Sequence, residues 1–212
     1  MDEMHDLEVS WAKGKISRRE FIARLSALGL STTLSPAILS MSASASVPKK
    51  GGRLRVGLTE AATNDSLDAG GACCSVWEMW LTFQFRNHLT EIDPKSRPIP
   101  ALAESWESTP DASKWIFRIR KGVEFHNGKT LDSQDVIYSL NHHRKDESKS
   151  PAKSMLAPIK EIKADGKHAV IIEADGGYAD MPALMSDYHL QIIPDGHTAW
   201  EECMGTGPFI KK

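Results

Sequence analysis

The chain has 212 residues, of which 41% are hydrophobic and 25% charged, and its formal net charge is −2. That composition describes a globular chain and excludes an intrinsically disordered one. The balanced charge gives no support to a nucleic-acid partner, which calls for a basic face.

The first element in chain order reads as a targeting segment. Ser17, Arg18, Arg19, Glu20 and Phe21 precede a modest apolar run, Ala27–Met41, interrupted by Pro36. A membrane-spanning helix needs about 20 predominantly apolar residues. A basic region, a modest apolar region and then small residues match an export signal instead. Ser17, Arg18, Arg19 and Phe21 resemble the twin-arginine signal, and Ala43-Ser44-Ala45 supplies a small-x-small cleavage site. Residues 1–45 are therefore expected to engage an export translocase and be removed, leaving 46–212 as the mature part. The leader carries five basic and five acidic residues, so the mature charge stays near −2.

Arg53–Leu58 alternates, with Leu54, Val56 and Leu58 on one face, and predicts a strand opening the domain. Thr59–Ala72 has no period and is rich in turn formers, so it reads as a loop. Cys74–Leu89 predicts a helix, in which Val76, Met79, Trp80 and Phe83 recur at i, i+3, i+4 and i+7 and read as a core stripe. Glu91–Pro100 holds three prolines and reads as a turn-rich connection.

Ser113–Gly122 alternates Trp115, Phe117 and Ile119 against Lys114, Ile116, Arg118 and Arg120, as an antiparallel strand with one buried face does. Asn127-Gly128 predicts a turn. Asp132 then stands as the N-cap of a helix with Asp135 at N3, both suited to the positive end of the macrodipole. Val136, Ile137 and Leu140 are expected to face inward. His142 and His143 at the helix end read as cations favourable to its C-terminal dipole. Ile159–Ala174 reads as two strands around Asp165-Gly166. Tyr188–Pro194 reads as another strand, and Gly205-Thr206-Gly207-Pro208 as a turn into a strand just beginning.

An oxidising compartment permits one disulfide among Cys73, Cys74 and Cys203. Adjacent cysteines bridge each other only with strain, which leaves Cys203 to Cys73 or to Cys74. Free, partly buried thiols are the expected state, because an odd count leaves at least one unpaired. The three lack the paired spacing of structural zinc. Gly205-Thr206-Gly207 lacks the Lys-Ser/Thr of a phosphate loop, and no GxSxG nucleophile elbow occurs. No enzyme activity, metal or cofactor is expected.

Four pieces occur together in order: Ser66–Gly70 ("SLDAG"), Leu89–Asp93 ("LTEID"), Ala101–His142 and Gly205–Phe209 ("GTGPF"). With them the chain resembles the solute-binding proteins of peptide and nickel ABC transporters, the dipeptide- and oligopeptide-binding group. The resemblance implies an α/β fold: a periplasmic-binding-protein-like first lobe, built from a mixed sheet and a small antiparallel subdomain, here assigned to 91–187. It also implies that the second lobe of the clamp is missing. The implied function is capture of a peptide-like solute for an ABC permease at the membrane. The alternative is a truncated fragment that binds nothing. The segment after "SLD" runs beside the ligand in the family, which maps the ligand contacts here to Gly70, Gly71, Ala72, Cys73, Cys74 and Ser75. Trp77, off the apolar stripe and next to that segment, is the candidate floor of the cleft.

Overall fold

The computed structural model describes residues 75–212, 65–68 and 51–63, and in the first 24 positions residues 6, 7, 9–11, 13, 15–17, 20, 21, 23 and 24. The side chains of Trp77 and Glu78 are not among those described. The chain divides into two units, Met1–Arg55 and Val56–Lys212. No helix among the described residues is long and apolar enough to cross a membrane.

In the first unit a small cluster forms around the predicted signal. Leu7 and Phe21 are buried, with Trp11 and Ile16 packed against them. The Trp11 and Phe21 rings stack at 4.7 Å. Ser17 starts the second helical stretch: its Oγ accepts from the Glu20 N–H at 3.2 Å and its carbonyl from the Phe21 N–H at 2.9 Å, as an N-cap serine does. Arg18, Arg19, Ala43 and Ala45 lie outside the described residues.

The second unit is α/β, and among the described residues both sheets are antiparallel. Helix α1 spans Val76–Phe85. A short ribbon follows, β1 (Thr90–Ile92) with β2 (Pro98–Pro100). Then come β3 (Ala103–Ser108), β4 (Lys114–Ile119), α2 (Ser133–Arg144), α3 (Ala152–Met155), β5 (Ile159–Ala164), β6 (Ala169–Ala174) and α4 (Met181–Leu184). A 3-10 turn covers Trp200–Glu202. The main sheet runs β3-β4-β6-β5.

The alternation read in 113–122 holds. Trp115, Phe117 and Ile119 are buried and Arg118 is exposed. Phe117 lies opposite Val170 and Trp115 opposite Ile172, so the apolar residues of neighbouring strands share one face. Helix α2 lays Val136 and Leu140 on that core, with Ile137 half-buried against it. Its start is the predicted one. Asp132 Oδ1 accepts from the Gln134 N–H at 2.9 Å, and Asp135 Oδ2 accepts from the Asp132 N–H at 2.9 Å, a reciprocal cap that satisfies orphan donors of the first turn. Gly166 sits at φ +71°, and its carbonyl accepts from Ser133 Oγ at 2.8 Å, tying the β5–β6 hairpin to the start of α2.

Four expectations fail, each for a physical reason. Arg53–Leu58 forms no strand: its residues join no ladder, and Leu54 is 83% exposed. Alternation prepares a strand but only a neighbour's hydrogen bonds hold one. The first helix is shorter than Cys74–Leu89, and its stripe points outward: Val76, Trp80 and Phe83 are 45%, 39% and 42% exposed. Among the described side chains the buried positions are Ser75, Thr82 and Arg86, spaced at seven and four residues as one helical face. Tyr188–Pro194 is not a strand. Leu190–Pro194 are all buried, so the apolar run reflects enclosure rather than pairing. Its amides go to single partners, Ile192 N–H to the Asn87 carbonyl at 2.9 Å and Ile193 N–H to Ser139 Oγ at 2.9 Å. The residues after Gly207 form no strand either, and bind the end of α1 instead.

The Glu91–Pro100 connection is more regular than expected. Asp93 Oδ1 accepts from the Lys95 and Arg97 N–H groups at 2.8 and 3.0 Å. This side-chain-organised turn closes the β1–β2 ribbon, where Pro98 and Pro100 are tolerated because a two-stranded ribbon is all edge.

Candidate functional site

Gly70, Gly71, Ala72, Cys73 and Cys74 lie outside the described residues, as does the Trp77 side chain, although its backbone belongs to α1. Ser75 is buried. The structure does describe the seat from which this segment departs, Ser66–Asp68.

That seat is held by Arg86, one residue past α1 and only 1% exposed. Its Nη1–H donates to the Leu67 carbonyl at 2.7 Å and to Gln191 Oε1 at 3.3 Å. Nε–H donates to the Met204 carbonyl at 3.0 Å, and Nη2–H to the Trp200 carbonyl at 3.4 Å. A planar fork of five donors is the only side chain able to collect so many acceptors. One guanidinium thus joins the "SLD" segment, the 188–194 stretch and the turn before Gly205. Burial pushes the guanidinium below its usual range, opposed by the nearby Cys203 and Asp68. Cys203 is a free, buried thiol, and burial pushes it up.

A second tie fixes the same segment. Asp68 Oδ1 lies 2.8 Å from His142 Nε2, and the His142 ring packs against Trp200 at 4.7 Å. Ser66 Oγ accepts from the Asp68 N–H at 3.1 Å. His142 is therefore a loop anchor rather than a free cation at the end of α2. His143 corrects the same expectation more sharply. It is 1% exposed, its Nδ1 lies 2.7 Å from Ser150 Oγ, and burial pushes its pKa down to about 4. At neutral pH it carries no charge for the dipole.

The "GTGPF" segment wraps the end of α1. The Gly207 N–H donates to the Phe85 carbonyl at 2.8 Å and the Phe209 N–H to the Gln84 carbonyl at 3.2 Å, filling acceptors that a helix C-terminus leaves open. A Cβ on Gly205 would sit 2.2 Å from the Phe85 oxygen, and one on Gly207 2.5 Å from the Phe85 carbonyl carbon. Glycine is needed there for close approach of two backbones. His126 clamps the segment, its Nε2–H donating to the Gly207 carbonyl at 2.9 Å and its N–H to Gly205 at 2.9 Å. A depression of about 290 Å³, lined by Ala61, Ala62, Asp65, Leu67 and Glu201, opens beside the seat. No group of three His, Cys, Asp or Glu residues among those described is placed to hold a metal ion.

Sequence reasoning found the "SLD" and "GTGPF" pieces but missed Arg86, Gln191 and Trp200. The one signal for Arg86 was a charged residue directly following an apolar helix.

Arg86 and His142 thus pin Ser66–Asp68 within an α/β unit, beside an open depression. Residues 97–212 match bacterial extracellular solute-binding proteins, family 5 (middle), and the chain belongs to that family. A probable di/tripeptide-binding protein of Pseudomonas aeruginosa is 30% identical over 158 residues, covering 59% of this chain and 30% of its own length. The oligopeptide-binding protein AppA of Bacillus subtilis is 27% identical over 180 residues, covering 78% of this chain and 32% of its own. The crystal structure of Haemophilus influenzae OppA in complex with RPPGFSPFR aligns with a TM-score of 0.61 at 22% identity, over 68% of this chain and 33% of that one. At that identity the likeness speaks for the fold. The chain spans about a third of the length of these relatives.

Proposed function

We propose that this chain supplies the first lobe of a periplasmic binding component that captures peptide-like solutes for an ABC permease. In this reading, residues 1–45 direct export through the twin-arginine translocase and are then removed, and 91–187 form a small inserted subdomain. The segment Gly70–Ser75 lines the solute cleft, with Trp77 at its floor. The observation that carries the reading is the seat: Arg86 and His142 hold Ser66–Asp68 by both backbone and side chain, so the loop that follows leaves from a fixed point. Gly70, Gly71 and Ala72 then let a ligand reach the main chain closely. Recognition through backbone groups tolerates varied side chains, which suits a peptide importer.

A clamp gains affinity from enclosure by two lobes. The chain alone should therefore bind di-, tri- and oligopeptides with Kd weaker than about 1 mM, and the chain joined to a second lobe should bind them far more tightly. Calorimetric titration of both decides. Micromolar binding by the chain alone overturns the two-lobe reading, and unchanged binding by the two-lobe protein carrying Ala72→Trp removes the segment from the cleft. For export, Arg18→Lys with Arg19→Lys should leave a tagged precursor in the cytoplasm, and its normal appearance in the periplasmic fraction refutes the twin-arginine assignment.

A further inference from the structure

Three histidines are buried where the 86–90 stretch, the end of α2 and the 187–194 stretch meet. His88, His143 and His189 are 2%, 1% and 5% exposed. His88 makes a hydrogen bond to the Tyr188 backbone, and its Nε2 is buried without a partner. His189 Nδ1 lies 2.6 Å from Asp187 Oδ1, and its Nε2 is likewise buried without a partner. His143 is held by Ser150 Oγ. A neutral imidazole has one nitrogen that carries no proton, so it can leave that atom unpaired at small cost. An imidazolium carries two donors, and a charged donor buried without an acceptor is strongly unfavourable. At His88, whose Nε2 has no acceptor, the hydrogen-bond pattern thus selects the unprotonated ring.

The cluster is wired to the seat. The His142 and His143 rings are 5.7 Å apart, and His142 holds Asp68. Gln191 Nε2–H donates to the Tyr188 carbonyl at 2.8 Å, while its Oε1 accepts from Arg86, which holds Leu67. We propose that buried His88 and His143 make the seat of Ser66–Asp68 an acid-released latch: protonation of these two rings opens the cluster and lets the loop root go. This holds whatever solute the protein carries.

Burial is the largest influence on both rings that titrate low. It pushes His88 down to about 4, opposed by the Tyr188 backbone and Asp187. It pushes His143 down to about 4 as well, aided by His142 on its own helix and by His189 from the 187–194 stretch. Asp68, from the 66–68 segment, and Asp187 oppose it. The segment after α2 presents the Ser150 hydroxyl. Each folded-state pKa lies below the free value of about 6.5. The opened state therefore binds more protons, and the stabilisation present above pH 6.5 is lost as pH falls from about 6.5 towards 4. Between pH 7.5 and 5 each ring shifts the open-to-closed ratio by roughly 25-fold.

Amide hydrogen exchange of the full chain at pH 7.5 and 5.0, corrected for intrinsic rates, tests this. The Leu190 and Ile192 amides, bonded to Asp187 and Asn87, should lose at least tenfold more protection than those of Phe117 and Val170 in the main sheet. His88→Gln and His143→Gln, which cannot ionise, should each reduce that difference. Equal loss at all four amides, or full pH dependence retained in both variants, overturns the latch. Should the variants fold poorly, ring titration of the parent protein by NMR decides alone: free-imidazole values near 6.5 for His88 and His143 also overturn it.

Discussion

Replacing Arg86 by Met should destabilise the protein by about 3–5 kcal/mol. Arg86 donates to three backbone carbonyls, of Leu67, Met204 and Trp200, and to the Gln191 amide. No carboxylate forms a salt bridge with it among the described residues, and three of its four partners are backbone carbonyls that no mutation removes. Exchanging both members of a buried ion pair for apolar residues is often neutral, but here the acceptors stay behind unsatisfied. A hydrogen bond to a charged group is worth about 1.5–3 kcal/mol. Two of the four bonds, at 2.7 and 3.0 Å, have strong geometry, and relief of the desolvated guanidinium offsets part of their loss. Arg86→Lys keeps the charge but offers one nitrogen where a fork is needed, and should cost about 2 kcal/mol. Urea unfolding with an unchanged m-value measures both. A loss below about 1 kcal/mol for Arg86→Met would refute the claim that this residue organises the seat.

Phe117→Ala should cost about 3–5 kcal/mol, whereas Arg118→Ala, beside an exposed Glu107 at 2.6 Å, should cost under about 0.5. Equal shifts in thermal melting would mean that the strand faces are reversed. Gly207→Ala should cost about 2–3 kcal/mol, because the new Cβ meets backbone atoms of residues 84–86 that cannot swing aside. Gly128→Ala meets open space and strains only its φ of +82°, so about 1–2 kcal/mol is expected, and denaturation that ranks Gly128 as the costlier site would contradict the close-approach argument.

Local signals made much of the second unit legible. Asp132 and Asp135 cap α2 with groups three residues apart, the β4 alternation is read within six residues, and Asp165-Gly166 announces its own hairpin. Each is a short-range cause with a short-range effect. The β1–β2 ribbon was hidden because its prolines argue against regular structure in general, though not at an edge. Tyr188–Pro194 misled because apolar residues in sequence report burial, and burial does not distinguish a ladder from a run held by single bonds to Asn87 and Ser139. The seat was hidden for a third reason. Arg86 acts on residues 67, 191, 200 and 204, and its fourfold bonding exists only once four distant segments have met.

The stripe on α1 yields the sharpest test of how far periodicity can be trusted. Spacing of Val76, Met79, Trp80 and Phe83 at i, i+3, i+4 and i+7 proves that these residues share a helical face, but says nothing about what that face meets. In the structure Ser75, Thr82 and Arg86 face inward, and Trp80 and Phe83 remain about two-fifths exposed. Among the described side chains the inward face is polar because Arg86 must reach three carbonyls and Thr82 Oγ1 donates to the Met79 carbonyl at 3.0 Å. Hydrogen-bond geometry, not apolar burial, therefore sets the rotation of α1 about its axis. If so, Trp80→Gln should cost less than about 1 kcal/mol in urea unfolding, since a partly exposed side chain has limited burial to lose. It should also reduce self-association by shrinking an exposed apolar patch, as sedimentation velocity would register. A core tryptophan truncated at the same place would cost about 3–5 kcal/mol. A loss of that size for Trp80→Gln would return the stripe to the core and with it overturn the inward placement of Arg86, because the two residues cannot both face the same interior.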